Sequence, residues 1–265
     1  MADISFQEFS SKYTDANRAP DATAYDFATL GNAVKQLQSV DNGSISQIAP
    51  AIIATILCAQ RRGDAVPKLF SDLVEGKEAE EVKSLFASFK HAITLTWPFI
   101  GLPHCIPACL GLAHELEIRN ITVDSQLDRT GLHEADWSLK GIETHQAIYR
   151  GVGNSEVGRL MGGFFPEISH VVGTALFGFL IGGSDKVQSL RLSQITVAAA
   201  IVGTGATRQA RSHFKGSLGL GNSLAAIKAV LGAAESVAAW NGTVLSGEFD
   251  FAALEAEAKA NLEKA

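Results

Sequence analysis

The sequence predicts an all-α protein, on three observations. Strand signals are weak throughout: alternating Val, Ile and Thr bounded by tight turns are scarce. Ala, Leu, Glu and Lys recur instead at helical spacing. Gly and Pro fall between these stretches where short helix–helix turns are needed, as in Gly151-Val152-Gly153 and Gly219-Leu220-Gly221. The 265 residues, 46% hydrophobic and 19% charged, supply ample core and exclude a mainly disordered chain.

Taken in order, the spacing predicts helices over 26–39, 47–61, 65–73, 78–96 and 104–116. The stretch 117–137 is richer in Asp, Asn, Thr and Arg and reads as a linker. Helices are expected again over 138–150, 154–164, 168–181, 190–203, 208–218 and 224–240. Residues 251–264 form an amphipathic, acidic, alanine-rich pattern that suits a packing or interface helix.

A mean hydropathy of +0.14 raises the question of a membrane segment. The apolar windows Val171–Leu180 and Ile195–Val202 are far shorter than the roughly 18–20 residues that span a bilayer. The longer run from Trp97 to Ala113 is interrupted by Pro98, Pro103, His104 and Pro107. No membrane association is therefore expected, and no signal peptide is read at the N-terminus. A net charge of −6, without any basic run, argues against nucleic acid as a partner. Cys58, Cys105 and Cys109 make no disulfide framework and read as small buried hydrophobes, which suits a cytoplasmic or other reduced intracellular compartment. The glycosylation patterns at Asn42, Asn120 and Asn241 are then chance matches.

The chain also repeats itself. Ile45-Ser46-Gln47-Ile48 recurs as Leu192-Ser193-Gln194-Ile195, an offset of 194 − 47 = 147. At that offset Arg61 meets Arg208 and Lys68 meets Lys215; two residues less brings Gly76-Lys77-Glu78 onto Gly221-Asn222-Ser223 and Val82 onto Ile227. Each copy reads as an apolar helix, a polar break, a second helix, a glycine turn and a long third helix.

The second copy resembles the carboxymuconolactone decarboxylase / alkylhydroperoxidase D-like superfamily. The resemblance is carried by Phe165-Pro166, Leu176-Phe177-Gly178, Leu190-Arg191-Leu192 opening an Ala-rich helix, Gln209 through His213, the Gly219 turn and the close at Ala239-Trp240-Asn241-Gly242. The first copy matches at Glu80-Glu81-Val82 and from Trp97 to Pro103. This implies a helical bundle in two copies, residues 25–118 and 140–265, with a linker over 119–139. It also implies a homo-oligomer, as dimer, trimer or hexamer.

In the peroxidase branch of that family a glutamate, a Cys-x-x-Cys pair and a histidine relay protons to make a thiolate. Carried back from His213, the cysteine positions fall on Ala206 and Gln209 and the glutamate on Gln194. The first copy has Ala59 and Arg62, Val66 and Gln47 at the same places. Both thiols and the carboxylate are missing from both copies, which argues against an alkylhydroperoxidase-type oxidoreductase.

His213 survives. It shares a helical face with Gln209, and Arg208 and Arg211 bracket its turn, with Lys215 following. An imidazole beside arginines suits acid–base chemistry on a small anion. The expectation is a lyase or isomerase, needing neither cofactor nor metal, for a small organic acid or enolisable metabolite. His213 is its acid/base, Gln209 and Gln194 orient that ring, and Arg208 or Arg211 binds the anion. His145 and Tyr149, four apart on one helix with Glu143 nearby, and His170 after Phe164-Phe165-Pro166 are candidate lining residues. The competing expectation is a catalytically silent helical oligomer that binds or scaffolds, with His213 merely bonding a neighbouring helix.

Other signatures fail. Glu156 and Leu224 stand where the third glycine of a dinucleotide loop belongs, and no strand precedes either string. His114-Glu115 and His133-Glu134 lack the second zincin histidine, and the seven histidines show no metal-ligand spacing. There is no Walker A string and no Gly-x-Ser-x-Gly elbow.

Overall fold

A computed structural model describes residues 5–153 and 156–264, and every regular element among them is helical. In chain order these are α1 (Phe6–Thr14), α2 (Phe27–Ser39), α3 (Ala49–Ala59), α4 (Ala65–Leu73), α5 (Ala79–Ile100) and α6 (Leu102–Ile118). After an irregular stretch come α7 (Trp137–Tyr149), α8 (Glu156–Phe164) and α9 (Pro166–Val171), then a π-helical run (Val172–Ile181) and a 3₁₀ turn (Gly182–Lys186). The chain closes with α10 (Leu190–Gly203), α11 (Thr207–Gly219), α12 (Leu224–Trp240) and α13 (Phe251–Lys264). The helix start expected at Asn154 lies outside the described residues.

The sequence explains most of the starts. Asp26, Asp136, Ser189 and Ser223 accept hydrogen bonds from backbone N–H groups in the first turns of α2, α7, α10 and α12. Ser5 with Glu8 and Glu78 with Glu81 form reciprocal caps on α1 and α5. Gly76 and Gly221, the two aligned turn glycines, both take positive φ (69° and 88°), and each lies two residues before the next N-cap, Glu78 or Ser223.

The centre consists of α3 and α10. Every residue of α3 is buried, as is every residue of α10 from Leu192 to Gly203, and the two helices pack on each other. Just before α3, the Ser44 carbonyl accepts a 3.2 Å hydrogen bond from Arg191 Nη2 at the start of α10. At the far ends, a Cβ on Gly203 would sit 3.5 Å from the Ile56 Cα and 2.9 Å from the Ala59 Cβ. Contact at both ends means that the helices run side by side in the same direction. Two interior apolar helices account for much of the high mean hydropathy.

The structure corrects several expectations. Helix α1 is not foreseen, and α5 runs past the expected end at Thr96, through Pro98 to Ile100. The linker is partly packed: buried Arg129 donates through Nε and Nη2 to the Leu180 carbonyl (3.2 and 3.1 Å), and Trp137 Nε1 donates to Gly131. Helix α9, the π run and the 3₁₀ turn chain into one helical stretch, Pro166–Lys186, longer than the apolar window read in the sequence. By length and composition alone it would reach across a membrane, with 39% of its apolar window buried in the protein. Its close partner is α7. A Cβ on Gly141 would lie 2.0 Å from the Gly173 carbonyl oxygen, and one on Gly178 2.0 Å from that of Trp137. Glycine is therefore required at this crossing. Finally, Cys58 and Cys105 are buried, their thiols within hydrogen-bonding reach, but Cys109 is at the surface rather than in the core. Desolvation and the neighbouring Cys105 push the Cys109 thiol up to about 11, leaving little thiolate at neutral pH.

Candidate functional site

Helix α11 carries His213 inward, against α10 and α5. Only 8% of His213 is exposed. From α10, the buried Gln194 reaches the ring: its Nε2 lies 3.1 Å from Nδ1 and also donates to the His213 carbonyl at 3.2 Å. The Phe99 ring from α5 meets the imidazole edge-on at 5.8 Å.

These distances assign the proton. A primary amide has two N–H donors, and here one goes to the carbonyl and the other to Nδ1. Turning the amide round would set its oxygen against the His213 carbonyl oxygen, acceptor on acceptor. Nδ1 is therefore the acceptor, and the proton sits on Nε2, which makes no hydrogen bond among the described residues. Desolvation drives the imidazole down to about 4, so it is neutral at physiological pH. The Gln194 Oε1 is buried without a partner.

His213 opens onto a cleft of about 500 Å³ lined by Tyr149, Arg208, Gln209, Arg211, Lys215, Asp250 and Glu257, among others. Arg208 is exposed at its rim and makes no ion pair among the described residues. Arg211 Nη2 donates to the Glu248 carbonyl (2.8 Å), and Lys215 pairs with Glu257 at 3.0 Å. Gln209 lines the same cleft, is exposed, and makes no hydrogen bond to the imidazole. Of the two glutamines expected to orient the ring, Gln194 is the one that hydrogen-bonds it.

A second cleft, of about 570 Å³, lies behind Tyr149. His145 and Tyr149 stack there at 4.1 Å and 12°, as their spacing predicts, with Phe177 edge-on to His145 at 4.8 Å. The walls come from α7, α8, α9 and the π run: Ile142, Met161, Ile168, Val172 and three glycines. Desolvation lowers the His145 pKa and raises that of Tyr149, so both are uncharged at neutral pH. A π-helical wall is itself notable, because such turns concentrate at functional sites. His170 is exposed and lines neither cleft, so it drops out of the site.

Sequence reasoning missed one polar cluster. Buried Arg62 donates bidentately to Asp64 (2.9 and 3.0 Å) and through Nη1 to Asn241 Oδ1 (3.0 Å), with its guanidinium 4.3 Å above the Trp240 ring. This ties the end of α3 to the end of α12. Among the described residues no group of three or more His, Cys, Asp or Glu is placed to hold a metal ion.

No protein-family model matches the chain, and neither a curated protein nor a solved structure matches it significantly. Fold and site together define an all-helical protein with a buried, glutamine-oriented neutral imidazole at the head of a cleft with an arginine rim.

Proposed function

We propose that the chain is a tandem carboxymuconolactone decarboxylase-like protein acting as a cofactor-independent lyase or isomerase on a small organic acid or enolisable metabolite. The two-copy reading is supported by the contacts between positions 147 apart, Ser44 with Arg191 and Ile56 with Gly203. Equivalent positions touch in this way when a local two-fold axis runs between two parallel helices. The matched glycine turns and N-caps of α5 and α12 point the same way.

One observation carries the chemistry: Gln194 leaves His213 as a neutral donor through Nε2. Such a donor stabilises negative charge developing on a carbonyl oxygen. For a 3-oxo acid, the bond between the α-carbon and the carboxylate breaks and its electron pair runs into the carbonyl, forming an enolate. The Nε2–H hydrogen-bonds the enolate oxygen, carbon dioxide leaves, and water from the open cleft protonates the carbon. Arg208 at the rim attracts the anion. The test is turnover of a panel of 3-oxo acids. The reading predicts that His213→Ala lowers kcat by about 100-fold or more, the usual cost of losing one oxyanion donor. Undiminished turnover of an identified substrate by that variant would overturn it.

A second reading is favoured by a different observation. Leu160, Phe164, Phe165 and Val171, outside both clefts, are all exposed, Phe164 by 78%. Apolar exposure on this scale is typical of an assembly surface. It supports the proposal of a homo-oligomer, either as the form of the enzyme or as a silent scaffold. A silent scaffold would turn over none of the panel while remaining oligomeric.

A further inference from the structure

The two clefts adjoin. Tyr149 and Val157 line both, so the space in front of His213 and the space behind Tyr149 meet at these two side chains. Their linings differ in kind. The first holds Arg208, Arg211 and Lys215 against Asp250 and Glu257, three cations to two anions, with Arg208 in no ion pair among the described residues. The second is walled by Ile142, Met161, Ile168, Val172 and Phe177, with the flat His145–Tyr149 stack at the boundary. At the described glycines Gly158 and Gly173 of that wall, an added Cβ would meet nothing within 4 Å. The space beside them is open rather than filled by packing.

We infer that the two clefts form one site for an amphiphilic carboxylate, an acid whose head lies before His213 and whose hydrocarbon tail lies in the apolar cleft. This deepens the proposed function by naming its substrate class, and it rests on that reading only for the place of the head group. Each space falls within the usual range for small-molecule sites. An acid with only a short chain leaves the apolar cleft in water, whereas each methylene buried there strengthens binding by about four-fold. The stacked rings offer a flat apolar surface to the tail and, at their edges, uncharged polar atoms near the head. The arginine side sets which end lies where.

The test uses calorimetric titration of the full chain with butyrate, decanoate and decanol. These saturated probes lack a carbonyl beta to the carboxylate and cannot be decarboxylated, so binding is read without turnover. Failure here leaves the His213 chemistry standing, and failure of His213→Ala to affect turnover leaves this binding result standing. Decanoate is expected to bind at least ten-fold tighter than butyrate, and tighter than decanol at low salt, with the second advantage shrinking as salt rises. Gly158→Phe, which projects a ring into open space, is expected to erase the chain-length preference while leaving butyrate binding unchanged. Gly158→Leu serves as a smaller plug, and the helical circular dichroism of both variants checks folding. Equal binding of butyrate and decanoate would overturn the inference. So would decanol binding as tightly as decanoate at low salt, or folded Gly158 variants that keep the full preference.

Discussion

Gln194 Nε2 bonds His213 twice, at 3.1 Å to the ring Nδ1 and at 3.2 Å to the backbone carbonyl. The double contact fixes ring orientation and tautomer together, so the side chain that faces the cleft is an N–H donor rather than a base. Substituting Gln194→Glu should invert this. A carboxylate would accept a hydrogen bond from a protonated Nδ1, favour the charged imidazole and raise its pKa from about 4. We expect turnover to fall by about 100-fold at neutral pH, and the His213 titration, followed by NMR, to move up by more than one unit.

Acid should destabilise the protein through two buried histidines. His91 in α5 has both ring nitrogens buried without partners, and desolvation, helped by Arg129, lowers it to about 4; His213 is lowered to the same value by desolvation alone. In the unfolded chain each returns to about 6.5 and binds a proton more readily. Stability is therefore fully present above about pH 6.5, falls as the pH drops toward 4, and levels off below. Between pH 7 and pH 5 the loss is about 2 kcal/mol per histidine. Urea unfolding at the two pH values measures it, and His91→Leu should roughly halve the difference.

Two glycine-to-alanine changes should have opposite signs. At Gly141 the new methyl would meet the Gly173 carbonyl oxygen at 2.0 Å, so α7 and the π run must separate. A loss of about 2 kcal/mol or more is expected. At Gly232, in the middle of α12, a methyl meets nothing within 4 Å, and improved helix propensity should stabilise by up to about 1 kcal/mol. Thermal melts of the pair distinguish close approach from simple propensity.

The Arg62 clamp should behave as a buried ion pair. Arg62 and Asp64 side chains are 4% and 5% exposed, and Arg62→Ala leaves the buried carboxylate only its 4.0 Å contact with Arg18. A loss of about 3–5 kcal/mol is expected in denaturant unfolding. The double change Arg62→Met with Asp64→Leu should recover part of it, because the one charge left without its partner is Arg18, whose side chain is 31% exposed.

The sequence exposed the fold class because α3 and α10 are apolar around their whole circumference and the surrounding helices are cleanly capped. It hid α1 for a physical reason. That helix buries Ser10 and Thr14 and leaves Phe6, Phe9 and Tyr13 exposed, with Ser10 Oγ 3.3 Å from His114 Nδ1, so no apolar stripe marks its inner face. The Ser5-x-x-Glu8 cap was the available signal. Within the site, the His145–Tyr149 stack follows from i, i+4 spacing, whereas the same spacing between Gln209 and His213 puts both on one cleft without a hydrogen bond between them. The Arg62–Asn241 bond joins residues 179 apart, and nothing local in either stretch marks it.

The most direct test is the tautomer of His213 itself. Long-range proton–nitrogen NMR of protein labelled with ¹⁵N-histidine, with the signal assigned by its loss in His213→Gln, reads which ring nitrogen carries the proton. A neutral imidazole at pH 7 protonated on Nε2, and still neutral at pH 5, is the predicted result. A proton on Nδ1, or a charged imidazolium at pH 7, would contradict the donor role from which the proposed chemistry is built.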